Sequence, residues 1–113
     1  MDFEFPRGDT FQFKFQMQDK SGELLELDTG IEIYFTVKKN RNSKNVLIQK
    51  KLNHGIELKD SFYYVRINSD DTSELAYGTY NYDIQLKQGD IVKTITLGTI
   101  TLTDEITHKG DEN

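Results

Sequence analysis

The chain has no cysteine and no tryptophan, and only one proline and two histidines in 113 residues. Without cysteine there is no disulfide framework, no thiolate metal site and no thiol nucleophile, a composition that fits assembly in a reducing cytosol. Histidine is the usual general acid or base at neutral pH, and here His54 stands beside a glycine in a turn while His108 lies in a polar tail. Both read as solvated side chains. A hydrolytic triad would also need an activated hydroxyl, and no G-x-S-x-G nucleophile elbow occurs. The expectation is a protein that is not an enzyme and carries no cofactor.

Long apolar runs are missing too, so no segment reads as a bilayer span. Residues 1–7 lack the basic head and continuous apolar stretch of a secretory signal, which predicts a soluble chain not exported by that route. A basic surplus is absent: 14 Lys and Arg face 19 Asp and Glu, a net charge of −5. Binding to a phosphate backbone leans on the opposite balance, so nucleic acid is a poor partner, and nothing points to a membrane.

What is present is short-period alternation. Phe11, Phe13, Phe15 and Met17 alternate with polar residues, as do Ile31, Ile33, Phe35 and Val37, and then Tyr63, Val65 and Ile67. Phe3 and Phe5 keep the same period up to Pro6, whose missing N–H suits an edge strand. Turn chemistry punctuates these runs at 19–22, at Asp28-Thr29-Gly30, at Asn53-His54-Gly55 and at Lys87-Gln88-Gly89-Asp90, the last reading as a hairpin loop into 91–97. Weaker strands fit 46–51 and 56–58, and Gly98 reads as a bulge before Ile100 and Leu102. Residues 69–74 fit one helical turn with Ser69 as its cap. Seven Phe and six Tyr must supply much of the core.

Residues 75–86 are the most informative stretch. Tyr80, Tyr82, Ile84 and Leu86 fall on one side of an extended backbone, with Thr79, Asn81, Asp83 and Gln85 on the other. The polar turn, then Leu75, Ala76 and closely spaced tyrosines, resembles the corner at which immunoglobulin-like sandwiches cross between sheets, where a Tyr hydroxyl reaches back to the upstream backbone. Seven to eight short strands with no βαβ alternation predict an all-β fold: an antiparallel immunoglobulin-like β-sandwich over residues 1–105, with a flexible polar tail at 106–113. A small closed barrel satisfies the same pattern.

Candidate sites are few. Asp70, Asp71 and Glu74, with Asp9 or Asp28, match no EF-hand spacing, and capping and solubility account for them, so no metal is expected. Gly8 in Arg7-Gly8-Asp9 serves a bend after Pro6. A basic cluster, Lys38, Lys39, Arg41 and Lys44, followed by Lys50 and Lys51, stands out in an acidic chain; it reads as a solvated loop or as a dock for an acidic partner. Period-two counting puts Tyr34 and Tyr64 opposite the apolar faces of their strands, and Tyr77 opens the corner. Such rings serve as cross-strand pairs, a protein interface or a sugar platform.

The segments Phe5-Pro6-Arg7-Gly8-Asp9-Thr10-Phe11, Ile33-Tyr34-Phe35-Thr36-Val37-Lys38-Lys39, 77–86 and 94–103 together resemble a family of small phage and prophage proteins. The chain is similar, from about Phe5 to Thr103, to the immunoglobulin-like domain at the start of phage baseplate upper proteins and to stand-alone prophage proteins. The resemblance carries no catalytic residues. It implies a non-enzymatic structural or tail- and baseplate-associated module that interacts with other phage structural proteins, as a homo-oligomer in one version, in the virion or in the host bacterial cytoplasm during assembly. The alternative is a carbohydrate-binding module that presents Tyr34 and Tyr64 to a host-surface glycan.

Overall fold

The computed structural model describes residues 1–17 and 30–104. The turn at 19–22, Asp28 and Thr29, His108 and the tail at 106–113 lie outside the described residues. The chain is nearly all β, as its periodicity predicts. Its elements are β1 (Asp2–Pro6), β2 (Phe11–Phe15), β3 (Glu32–Lys38), β4 (Ile48–Leu52), β5 (Gly55–Lys59), β6 (Phe62–Ile67), α1 (Ser69–Thr72), β7 (Gly78–Gln88) and β8 (Ile91–Thr103).

The hydrogen-bonding pattern gives a single eight-stranded sheet in the order β1-β8-β7-β3-β4-β5-β6-β2, rolled nearly into a barrel. Division into two separate facing sheets is not seen, and the ladder is not purely antiparallel. β1 runs parallel to β8, and β4 parallel to β5 through only two residue pairs, Lys51 with Gly55 and Leu52 with Ile56. A tight turn makes that narrow link: the His54 N–H donates to the Lys51 carbonyl at 2.7 Å, and Asn53 takes φ 72°. Gly55 has φ 101°, and a Cβ there would meet Lys50 Cδ at 2.6 Å, so both backbone and space call for glycine.

The inner face is what alternation anticipates. Ile33, Phe35 and Val37 of β3, Val65 and Ile67 of β6, and Ile84 of β7 are buried. Each fully buried side chain of this size contributes about 1.5–3 kcal/mol of transfer free energy. Aromatic rings close the roll. The sheet's two end strands, β1 and β2, meet through Phe5 and Phe11, stacked with centroids 4.4 Å apart, and through Phe3 and Phe13 at 4.6 Å. Tyr82 completes the cluster against Phe35 at 5.4 Å, and its hydroxyl donates to the Met1 carbonyl at 2.9 Å.

Three local expectations shift. Asn68, not Ser69, is the residue before the helical turn; its N–H donates to Asp71 Oδ2 at 2.7 Å, and its own Oδ1 accepts from Arg66 Nε at 3.0 Å. β4 starts at Ile48, leaving Val46 and Leu47 exposed, and it lies between β3 and β5. The irregularity in β8 falls opposite Ile84 and Gln85, where Thr96 and Thr94 are the partners and Ile95 is the extra residue. Gly98 is regular. It is glycine because a Cβ would overlap the Met1 carbonyl oxygen and stand 2.7 Å from the Tyr82 ring.

At 75–82 the hydroxyl-to-backbone bond forms, but within one continuous sheet instead of at a crossing between two. The Tyr80 hydroxyl donates to the Ala76 carbonyl at 2.6 Å. Gly8 takes φ 85° in the bend after Pro6, and its N–H donates to the buried Thr72 Oγ1 at 2.8 Å, tying the β1–β2 turn to α1.

Candidate interaction surface

The outer face of the roll carries the residues singled out by sequence, and it does not gather them into one site. Tyr34 lies half-buried on β3, where its hydroxyl donates to Glu32 Oε2 at 2.7 Å. That hydrogen bond to a carboxylate, with some burial, raises the phenol above its usual range. Tyr64 lies on β6 between Lys14 of β2 and Glu57 of β5, its ring 6.5 Å from Phe62, over which Lys14 Nζ sits at 4.3 Å. β4 and β5 separate the strands of Tyr34 and Tyr64. The two rings therefore do not form the single platform that the sugar-binding alternative needs. Tyr77 is exposed near the corner with the Arg7 guanidinium over its ring at 4.2 Å; Arg7 also donates to the Leu75 carbonyl at 3.2 Å. These contacts hold β1 to the corner.

The basic cluster divides in the same way. Lys39 donates to the Thr79 carbonyl at 3.2 Å and sits 4.6 Å from the Tyr80 ring centroid, a structural position. Lys50 is ion-paired with Asp71 at 2.7 Å, joining β4 to α1. Lys44 is exposed in the loop between β3 and β4. Lys38 and Arg41 line a shallow cavity of about 120 Å³ with Thr36, Asn81, Tyr82, Asp83 and Leu97. Burial pushes the Asp83 carboxyl up, with Lys38 pulling it down. Among the described residues, no group of three or more His, Cys, Asp or Glu is placed to hold a metal ion. No helix among them is long and apolar enough to cross a membrane.

Sequence reasoning missed the most unusual surface feature. β1 is short and β8 is long: Asp2 pairs with Thr99 and Pro6 with Thr103, and residues 91–98 of β8 have no described strand on that side. The Thr99 N–H points toward β1 and donates to Asp2 Oδ1 at 3.1 Å. Backbone alternation turns the Leu97 N–H the same way, beyond the start of β1. Apolar side chains flank this open edge: Ile91 is 55% exposed, Val92 55%, Leu97 48% and Ile95 38%. They occupy both faces, because Val92 and Leu97 pair with outward Lys87 and Asp83 while Ile91 pairs with Gln88 on the opposite face. An exposed apolar strand edge is a template for another strand, and folded proteins normally guard it. The signal in the sequence was the adjacent pair Ile91-Val92, which breaks period two, but only the pairing reveals how far β8 outruns β1.

No family model matches the chain, and no curated protein is significantly similar to it.

Proposed function

We propose that this protein is a non-enzymatic interaction module, a small rigid β-structure that contributes surface to a larger assembly. The observation that supports the reading is the open apolar edge of β8 at residues 91–97, where backbone donors and half-exposed Ile, Val and Leu side chains await a strand. The resemblance of the chain to small phage and prophage proteins suggests the setting: a phage tail or baseplate, with phage structural proteins as partners, during assembly in the bacterial cytoplasm or in the finished virion. For the fold itself we propose a variant of the immunoglobulin-like sandwich. The Tyr80 hydroxyl bond to the upstream Ala76 carbonyl supports this, as does the two-pair β4–β5 link, which nearly separates β1-β8-β7-β3-β4 from β5-β6-β2. The assembly reading is tested by immunodetection in tails and particles purified after induction of the source prophage. Stoichiometric presence in particles or in assembly intermediates is the expected result; absence from both overturns it.

A further inference from the structure

The partner of the open β8 edge is identifiable from its chemistry. Residues 91–97 read Ile-Val-Lys-Thr-Ile-Thr-Leu, with Lys93 as the one charge and no proline or glycine. A strongly charged partner finds nothing to pair with here. A flat apolar surface covers only one face, whereas Val92 and Leu97 lie on one side of the strand and Ile91 on the other. The complement must be an edge-on strand that is itself β-branched, weakly charged and apolar on both faces. Residues 91–97 meet that description.

We propose that two copies of the chain pair antiparallel through β8, joining their sheets about a two-fold axis. This rests on the interaction-module reading and names its first partner. The irregularity at Ile95 sets the register. In a regular strand, residues that face each other and share a side of the sheet have the same parity, but the extra residue reverses parity across it. Leu97 points outward with Val92, and Thr96 points inward with Lys93, since their β7 partners are Asp83, Lys87, Ile84 and Leu86. Matching sides therefore places Leu97 against Val92 of the second copy, Thr96 against Lys93 and Ile95 against Thr94. The axis falls between Thr94 and Ile95. Lys93 then faces threonine, so no like charges oppose each other. Residues 92–97 then oppose one another, a contact of six residues a side at the small end of the interface scale, which predicts association in the micromolar to sub-millimolar range.

Sedimentation of the full chain across that range tests the idea, with the Ile95→Lys variant alongside and circular dichroism reporting its fold. The expected result is a monomer–dimer equilibrium that Ile95→Lys weakens about tenfold or more. Because the chain lacks cysteine, register is read by mixing Val92→Cys with Leu97→Cys under mild oxidation. A mixed disulfide dimer forms in preference to either homodimer if the pairing is right. A monomer throughout the range, or a dimer that Ile95→Lys leaves intact and the mixed cysteines do not capture, overturns the proposal. So does protection of this edge in the monomer by another part of its own chain, or selective pairing with a foreign strand. A strict monomer still found in phage particles would sink self-pairing alone; a dimer absent from them would sink the assembly role alone.

Discussion

The two halves of β8 belong to one strand and share one partner, β7, yet their surroundings differ. From Thr99 to Thr103 the strand has β1 on its other side, and Ile100 and Leu102 are 2% exposed. From Ile91 to Leu97 it has the same β7 ladder, similar β-branched residues and half-exposed apolar side chains. Strand propensity and pairing to one neighbour are therefore not what buries a side chain here. A second neighbour and the ring cluster of Phe3, Phe5, Phe11 and Phe13 do that, and they stop where β1 begins. The half beside β1 belongs to the core, whereas the other half has no second strand among the described residues and keeps its apolar side chains exposed.

The comparison breaks or holds first on side-chain truncation. Phe35→Ala, at a fully buried ring packed on Phe13 and Tyr82, should cost about 3–5 kcal/mol in chemical denaturation, while Leu97→Ala should stay within about 0.5 kcal/mol. Comparable losses at both sites would mean that the upper half of β8 is covered. Gly98→Ala probes the boundary: the new methyl forces Met1 and the Tyr82 ring apart, and a loss of about 1–3 kcal/mol is expected. An unchanged midpoint would show that β1 is not seated against Gly98.

Tyr80→Phe removes the hydroxyl bonded to Ala76 and should cost about 1 kcal/mol, with the fold retained by circular dichroism. The smallest effect concerns Asp83, which faces Leu97 across the β7–β8 pair. Burial lifts its carboxyl above the ordinary value of 3.8, so its favourable contribution is fully present below the unfolded pKa and is lost as pH rises through the folded one. Asp83→Asn should match the wild type near pH 3 and become the more stable of the two as pH rises beyond about 4. Denaturation midpoints from pH 3 to 7 check this; a variant that loses ground with rising pH would show that attraction to Lys38 outweighs burial.

Much of the fold was legible because burial follows period two wherever both faces of a strand have fixed neighbours. Ile33, Phe35 and Val37, and equally Tyr63, Val65 and Ile67, lie inside as their spacing requires. The Tyr80 corner and the bend at Gly8 were legible from local chemistry. Strand order was not: a parallel β1–β8 pair and a two-pair β4–β5 link depend on long-range partners that alternation does not specify. Glycine in a strand permits a bulge, which is all that sequence suggests for Gly98, whereas its actual reason is the close approach of Met1 and Tyr82. The surface candidates fared similarly. Tyr34 and Tyr64 do face outward, but β4 and β5 hold them apart, and Lys39 was spent on the Thr79 carbonyl. The unpaired stretch of β8 is not legible in the sequence, because it depends on how far β1 reaches among the described residues.

Backbone amide exchange along β8 in dilute protein tests the central claim most directly. The Leu97 amide should exchange orders of magnitude faster than the Ile100 amide, on the same strand with its core-facing side chain, and should slow as protein concentration rises. Equal, concentration-independent protection of the two would contradict an open edge on β8.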